Sequence, residues 1–180
     1  ASIWDMHRDA EISSADFLEI ALNGLAGETD DAIVNIVLGQ LGTSVEAYAK
    51  DSNRDAYREK LAAGLWALTE SSAPGSDLQL LISRAFAINA QTADQTAKIR
   101  ELLNGSAPGL KVDADLRWYF LIALTERGAA TKTELDAELA QDNTTTGNLA
   151  YETCLAAMPN NEAKAYAFNK VLNEDVVTSV

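Results

Sequence analysis

His7 is the only imidazole in the 180 residues, and Cys154 is the only thiol. One histidine can serve at most one triad or supply one metal ligand, so the His-x-x-x-His spacing of a zinc helix cannot occur. His7 stands in Asp5-Met6-His7-Arg8-Asp9, among charged residues. It could act as a general base, but this setting reads as an exposed or half-buried helical position. Cys154 shares an apolar stripe with Leu155 and Met158. A reactive thiolate needs a cation or a helix N-terminus beside it, so Cys154 reads as a small buried apolar residue. Arg117 is the cation of most interest. Asp113 precedes it by four residues, with the acid on the N-terminal side, the favourable helical orientation. Arg117 therefore reads as half of an ion pair within one helix or between two. The alternative is a carboxylate-binding residue on a concave face.

The remaining polar groups read as caps and solvated faces. Paired carboxylates occur at Asp30-Asp31, Asp9/Glu11 and Glu134/Asp136/Glu138. Several fall in or near a first helical turn, where the macrodipole favours negative charge. Thr144-Thr145-Thr146 before Gly147 reads as a capping region. There is no Asp-x-Asp-x-Asp-Gly calcium loop, no glycine-rich phosphate loop and no Gly-x-Ser-x-Gly elbow. No catalytic residue, cofactor-binding residue or metal ligand is assigned to this chain.

The elements that would position these residues are helices. Apolar residues recur at spacings of three and four, the helical period. Leu78, Leu81, Ile82 and Ala85 share one face, as do Tyr57, Leu61, Leu65 and Leu68. Leu116, Tyr119, Phe120, Ala123 and Leu124 form another stripe, and Tyr151, Cys154, Leu155 and Met158 a fourth. Candidate N-caps are Ser13 or Ser14, Thr29, Ser52, Ser76, Thr92, Asp113, Thr131, Thr145 and Asn160. Thr131-x-x-Glu134 has capping-box spacing. Asn104-Gly105 and Gly128 read as C-terminal stops, and Pro74, Pro108 and Pro159 all lie between periodic segments. The pattern predicts about nine short helices with short connections and no dividing linker. Ile33 to Leu38 and Trp118 to Ile122 are apolar on more than one face, so both are expected to be covered on both sides. Consecutive antiparallel helices with such inner members suggest an irregular α-solenoid or a compact orthogonal bundle.

Fourteen basic against 27 acidic residues give a net charge of −13. That balance argues against nucleic acid and against anionic membrane surfaces. No apolar run approaches the roughly 20 residues of a membrane span. One cysteine excludes an intramolecular disulfide, so no oxidising compartment is required and the cytoplasm is expected. The opening Ala1-Ser2-Ile3-Trp4-Asp5 has no initiator Met and no signal-type pattern, and Trp4 reads as a core residue. The chain is expected to be a fragment of a longer protein.

Several motifs carry a family resemblance. They are Trp4-Asp5-Met6-x-Arg8-Asp9-Ala10-Glu11, Asp115-Leu116-Arg117-Trp118, Glu138-Leu139-x-x-Asp142-x-Thr144 and Met158-Pro159-Asn160-x-Glu162-Ala163. Together they resemble the C-terminal helical domain of bacterial zinc aminopeptidases of the N type, kin to the endoplasmic-reticulum aminopeptidases. The resemblance implies an all-α, HEAT/armadillo-like superhelix over residues 1–180, part of the C-terminal domain of a multi-domain enzyme. It implies that zinc, with its His-Glu-x-x-His ligands, and the Gly-x-Met-Glu-Asn motif belong to a catalytic domain of the parent chain. Neither motif occurs here. The implied role is to cap that catalytic domain, enclose a chamber and limit access of peptide substrates, with Arg117 a possible concave-face or substrate contact. A free-standing helical scaffold that binds a protein partner is the alternative.

Overall fold

The computed structural model describes residues 2–173. The fold is all-α; among the described residues there are ten α-helices, one π-helical turn and no strand. The chain divides between Lys111 and Val112 into two compact units. The first holds α1 (Ile3–Arg8), α2 (Ser14–Leu25), α3 (Asp31–Thr43), the π-turn Ser44–Tyr48, α4 (Asp51–Ser71), α5 (Asp77–Asn89) and α6 (Ala93–Leu103). The second holds α7 (Ala114–Glu126), α8 (Lys132–Gln141), α9 (Thr145–Ala157) and α10 (Asn161–Asn173). Within each unit a helix packs on partners one or two places along the chain, an arrangement compatible with an α-solenoid.

Hydroxyl and carboxylate caps start most of these helices. Ser13, Ser76, Thr92, Asp113 and Thr131 each accept from a backbone N–H of the first turn. Asn160 does the same for Ala163 N. The Thr131–Glu134 capping box forms as its spacing predicts. Three caps differ. Asp30, not Thr29, caps α3, because its carboxylate reaches Ala32 N and Ile33 N. Thr144, not Thr145, caps α9. Ser52 lies inside α4, which starts at Asp51 with no side-chain cap. The stops at Gly105 and Gly128 adopt φ of +77° and +67°.

In the first unit, Phe17, Leu18, Leu25, Val34, Leu41, Leu61, Leu65, Ile82, Phe86, Ile99 and Leu102 make the core. The buried stripe of α5 is Gln79, Ile82, Ser83, Phe86 and Ala87, turned by one position from the expected Leu78–Leu81–Ile82–Ala85 face. The Ile33 run is helical, but it is not covered on both sides. Val34 is buried whereas Ile33 and Ile36 are 44% and 59% exposed, Ile33 bordering an open cleft against α2. In the second unit, Leu116, Trp118, Phe120, Leu121, Ala123, Leu124, Leu135 and Cys154 are buried, so the Trp118 segment is enclosed as its pattern requires. No helix among the described residues is long and apolar enough to cross a membrane.

Candidate functional site

Asp113 caps α7 and Arg117 ends its first turn, yet they do not pair. The Asp113 carboxylate is engaged as the N-cap and accepts from Leu116 N at 3.0 Å. Arg117 reaches instead to α8. Its Nε donates to Glu138 Oε1 and its Nη2 to Glu138 Oε2, both at 2.6 Å. The Arg117 side chain is 36% exposed and that of Glu138 only 6%. This bidentate bond raises the Arg117 pKa above its ordinary value, against a smaller opposing effect of burial. Glu138 was read as part of a solvated acidic face. It is buried, because the guanidinium supplies both of its hydrogen bonds.

The next residue along α7 extends the clasp. Trp118 Nε1 donates to Asp142 Oδ2 at 2.8 Å, and Thr144 Oγ1 donates to Asp142 Oδ1 at 2.8 Å. Thr144 Oγ1 in turn accepts from Gly147 N at 3.0 Å, which caps α9. Gly147 must be glycine: a Cβ there would collide with the Asp142 carbonyl and lie 2.6 Å from Asp142 Oδ2. Arg117, Trp118, Glu138, Asp142, Thr144 and Gly147 thus fasten α7 to the end of α8 and the start of α9. The chemistry of this cluster is holding. The bidentate edge of Arg117 is occupied by Glu138, so capture of a substrate carboxylate through that edge would first have to break the pair.

His7 corrects its sequence reading. It is buried, at 4% exposure, and stacks on Phe17 with centroids 4.8 Å apart and rings 7° from parallel. Trp4 and Tyr48 close the cage, with Trp4 half-buried. Nδ1 lies 3.4 Å from the Ile12 carbonyl, and Nε2 lies 2.9 Å from Ser44 Oγ. A carbonyl only accepts, so Nδ1 donates to it, and Nε2 shares its hydrogen bond with the Ser44 hydroxyl. That is the spacing of a nucleophile and its base. Burial of both side chains denies a substrate access, so the pair is a core hydrogen bond fixing α1 to the π-turn. The local signal for it was Trp4, one turn before His7 on α1.

Cys154 is buried, and burial pushes its thiol up to about 11, against a lowering hydrogen bond with Thr125. Two lysine–tyrosine–carboxylate groups join the later helices. Lys132, Asp136 and Tyr151 link α8 to α9, with Tyr151 Oη donating to Asp136 at 2.6 Å. Glu152, Tyr166 and Lys170 link α9 to α10, with Lys170 Nζ 2.7 Å from Glu152. Among the described residues no three His, Cys, Asp or Glu side chains group as a metal site. The first unit also carries an open cleft of about 360 Å³ beside Trp66, Glu70, Gln79, Glu101 and Pro108.

Residues 1–179 match the family model described as ERAP1-like C-terminal domain. The chain is also 36% identical over 177 residues to Aminopeptidase N of Streptomyces lividans. That match covers 97% of this chain and 21% of the relative, so the chain spans about a fifth of the relative's length. The motifs that carry the resemblance include the Arg117–Trp118 and Glu138–Asp142–Thr144 residues of the α7–α8–α9 clasp, and the similarity runs nearly from end to end. The chain belongs to the ERAP1-like C-terminal domain family.

Proposed function

We propose that this chain is the non-catalytic C-terminal domain of a zinc-dependent aminopeptidase that removes N-terminal residues from peptides. The carrying observation is the end-to-end match to this family, together with 36% identity to a relative named Aminopeptidase N. In this reading the zinc belongs to the catalytic domain of the parent, where it would activate the attacking water. The present helices would cap that domain and shape a peptide chamber. The clasp around Arg117 would hold α7, α8 and α9 in fixed register, and Arg117, partly exposed, would border the peptide surface. A lone cysteine, Cys154, forms no intramolecular disulfide and so fits a reducing compartment such as the cytoplasm.

The test compares the 180-residue chain with the whole polypeptide that carries it. Metal analysis and hydrolysis of an aminoacyl reporter are measured on both. The chain alone should hold no stoichiometric zinc and cleave nothing, whereas the whole polypeptide should do both. One tightly held zinc per isolated chain, or turnover by it, would overturn the reading.

A further inference from the structure

The cleft of about 360 Å³ in the first unit is built on a repeated tetrapeptide. Ser72-Ala73-Pro74-Gly75 follows α4, and Ser106-Ala107-Pro108-Gly109 follows α6. Both turns end on a glycine at φ +76°. They meet backbone to backbone: a Cβ on Gly109 would lie 2.5 Å from Gly75 N and 2.6 Å from the Pro74 carbonyl carbon. Gln79, 2% exposed, ties them together. Its Oε1 accepts from Gly75 N at 2.9 Å, and its Nε2 donates to the Pro108 carbonyl at 3.3 Å. The wall of the cleft is therefore fixed before anything binds.

The lining combines flat apolar surface with negative charge. Trp66, Pro74 and Pro108 supply the surface, and Glu70 and Glu101 the charge. Glu70 lies in the last turn of α4 and Glu101 in the last turn of α6. Helix C-termini already carry partial negative charge, so a carboxylate there is disfavoured unless a cation answers it. Neither glutamate forms an ion pair among the described residues. Lys98, which does not line the cleft, places its Nζ 4.5 Å from the centroid of the Trp66 ring, so this ring already accepts an alkylammonium within the chain.

We propose that this cleft seats the basic side chain of a peptide, its alkyl stem along Trp66 and the prolines and its cation against Glu70 and Glu101. The inference does not depend on the aminopeptidase reading. It is tested by amide NMR on the 180-residue chain, titrated with acetyl-Gly-Lys-Gly-amide and with its norleucine counterpart. The lysine peptide should shift the Trp66 indole and the Ser106 and Ala107 amides saturably, and the norleucine peptide should not. Glu70→Gln and Glu101→Gln should each weaken binding about threefold, the size of one exposed charge contact, and added salt should weaken it further. Lys98→Met should tighten it, because it removes a like charge beside Trp66. Equal shifts from norleucine, unsaturable shifts spread over the acidic surface, or unchanged binding in all three variants would each overturn the proposal. Should a glutamate variant lose its fold, the salt dependence and Lys98→Met still decide.

Discussion

At the scale of single residues, the decisive fact is which carboxylate Arg117 holds. The four-residue spacing from Asp113 was readable in the sequence, but the cap competes for that acid. Once Asp113 accepts from Leu116 N, the guanidinium turns to Glu138 on α8. No sequence spacing encodes that contact, because 21 positions separate the partners. The energetic consequence follows from burial. An exposed pair contributes about 0–1 kcal/mol, whereas breaking a fully buried one costs about 3–5 kcal/mol. Arg117 is partly exposed and Glu138 is not, so Arg117→Ala should cost about 1–3 kcal/mol in urea unfolding. Adding Glu138→Gln should recover part of that loss, since the orphaned charge is then gone. A purely additive double variant would contradict the pairing. His7 was legible as the lone imidazole but not as a core residue, since its aromatic neighbours Phe17 and Tyr48 come from other elements.

At the scale of elements, helix starts were legible wherever a single hydroxyl or carboxylate stood at the boundary. They slipped by one position where candidates adjoined, as at Thr29/Asp30 and Thr144/Thr145. Which face of a helix is covered was less legible, because periodicity gives a stripe without naming the neighbours that bury it, as Ile33 and Ile36 on α3 illustrate. Two outcomes belong here. Gly147→Ala should disrupt the start of α9, because the new methyl group must push Asp142 away from Trp118 Nε1. The expected loss is about 1–3 kcal/mol, with a changed near-ultraviolet signal from Trp118. The second concerns α10 in acid. Burial would raise the Glu152 pKa, but donation from Lys170 and Tyr166 outweighs it and holds the carboxyl below its ordinary 4.5. A depressed folded-state pKa means that the stabilisation is complete above the ordinary value and is lost as pH falls through the depressed one. The stability gap between the native chain and Glu152→Gln should therefore be widest near neutral pH and should narrow below about pH 4. A gap that widened in acid would show that the carboxylate is not the stabilising form.

At the scale of the whole molecule, composition excluded more than it assigned. The charge of −13, one histidine and one cysteine narrowed the chemistry to be expected without assigning any. The motifs that carry the resemblance coincide with residues that fold the chain: Glu138, Asp142 and Thr144 help clasp three helices. The division at Lys111–Val112 left no composition signal, because no linker marks it. The proposed role then makes a prediction about substrate length. A single-residue reporter needs only the zinc site, whereas a longer peptide must enter and occupy the space that these helices would border. Contacts remote from the scissile bond can be used to position it, so the domain's influence should grow with peptide length. Deleting the domain is a poor test, because it exposes an inter-domain surface and invites aggregation. Enlarging exposed small residues is cleaner. Ala63 lies on a cleft of about 580 Å³ against α2, and Ser106 on the cleft beside Trp66. In the whole polypeptide, Ala63→Trp and Ser106→Trp should leave the melting temperature and reporter turnover near native. At least one should change the ratio of decapeptide to reporter turnover by about tenfold, the effect of 1.4 kcal/mol on the longer substrate alone. If both variants alter the two substrates by the same factor, the helices support the enzyme without shaping its chamber.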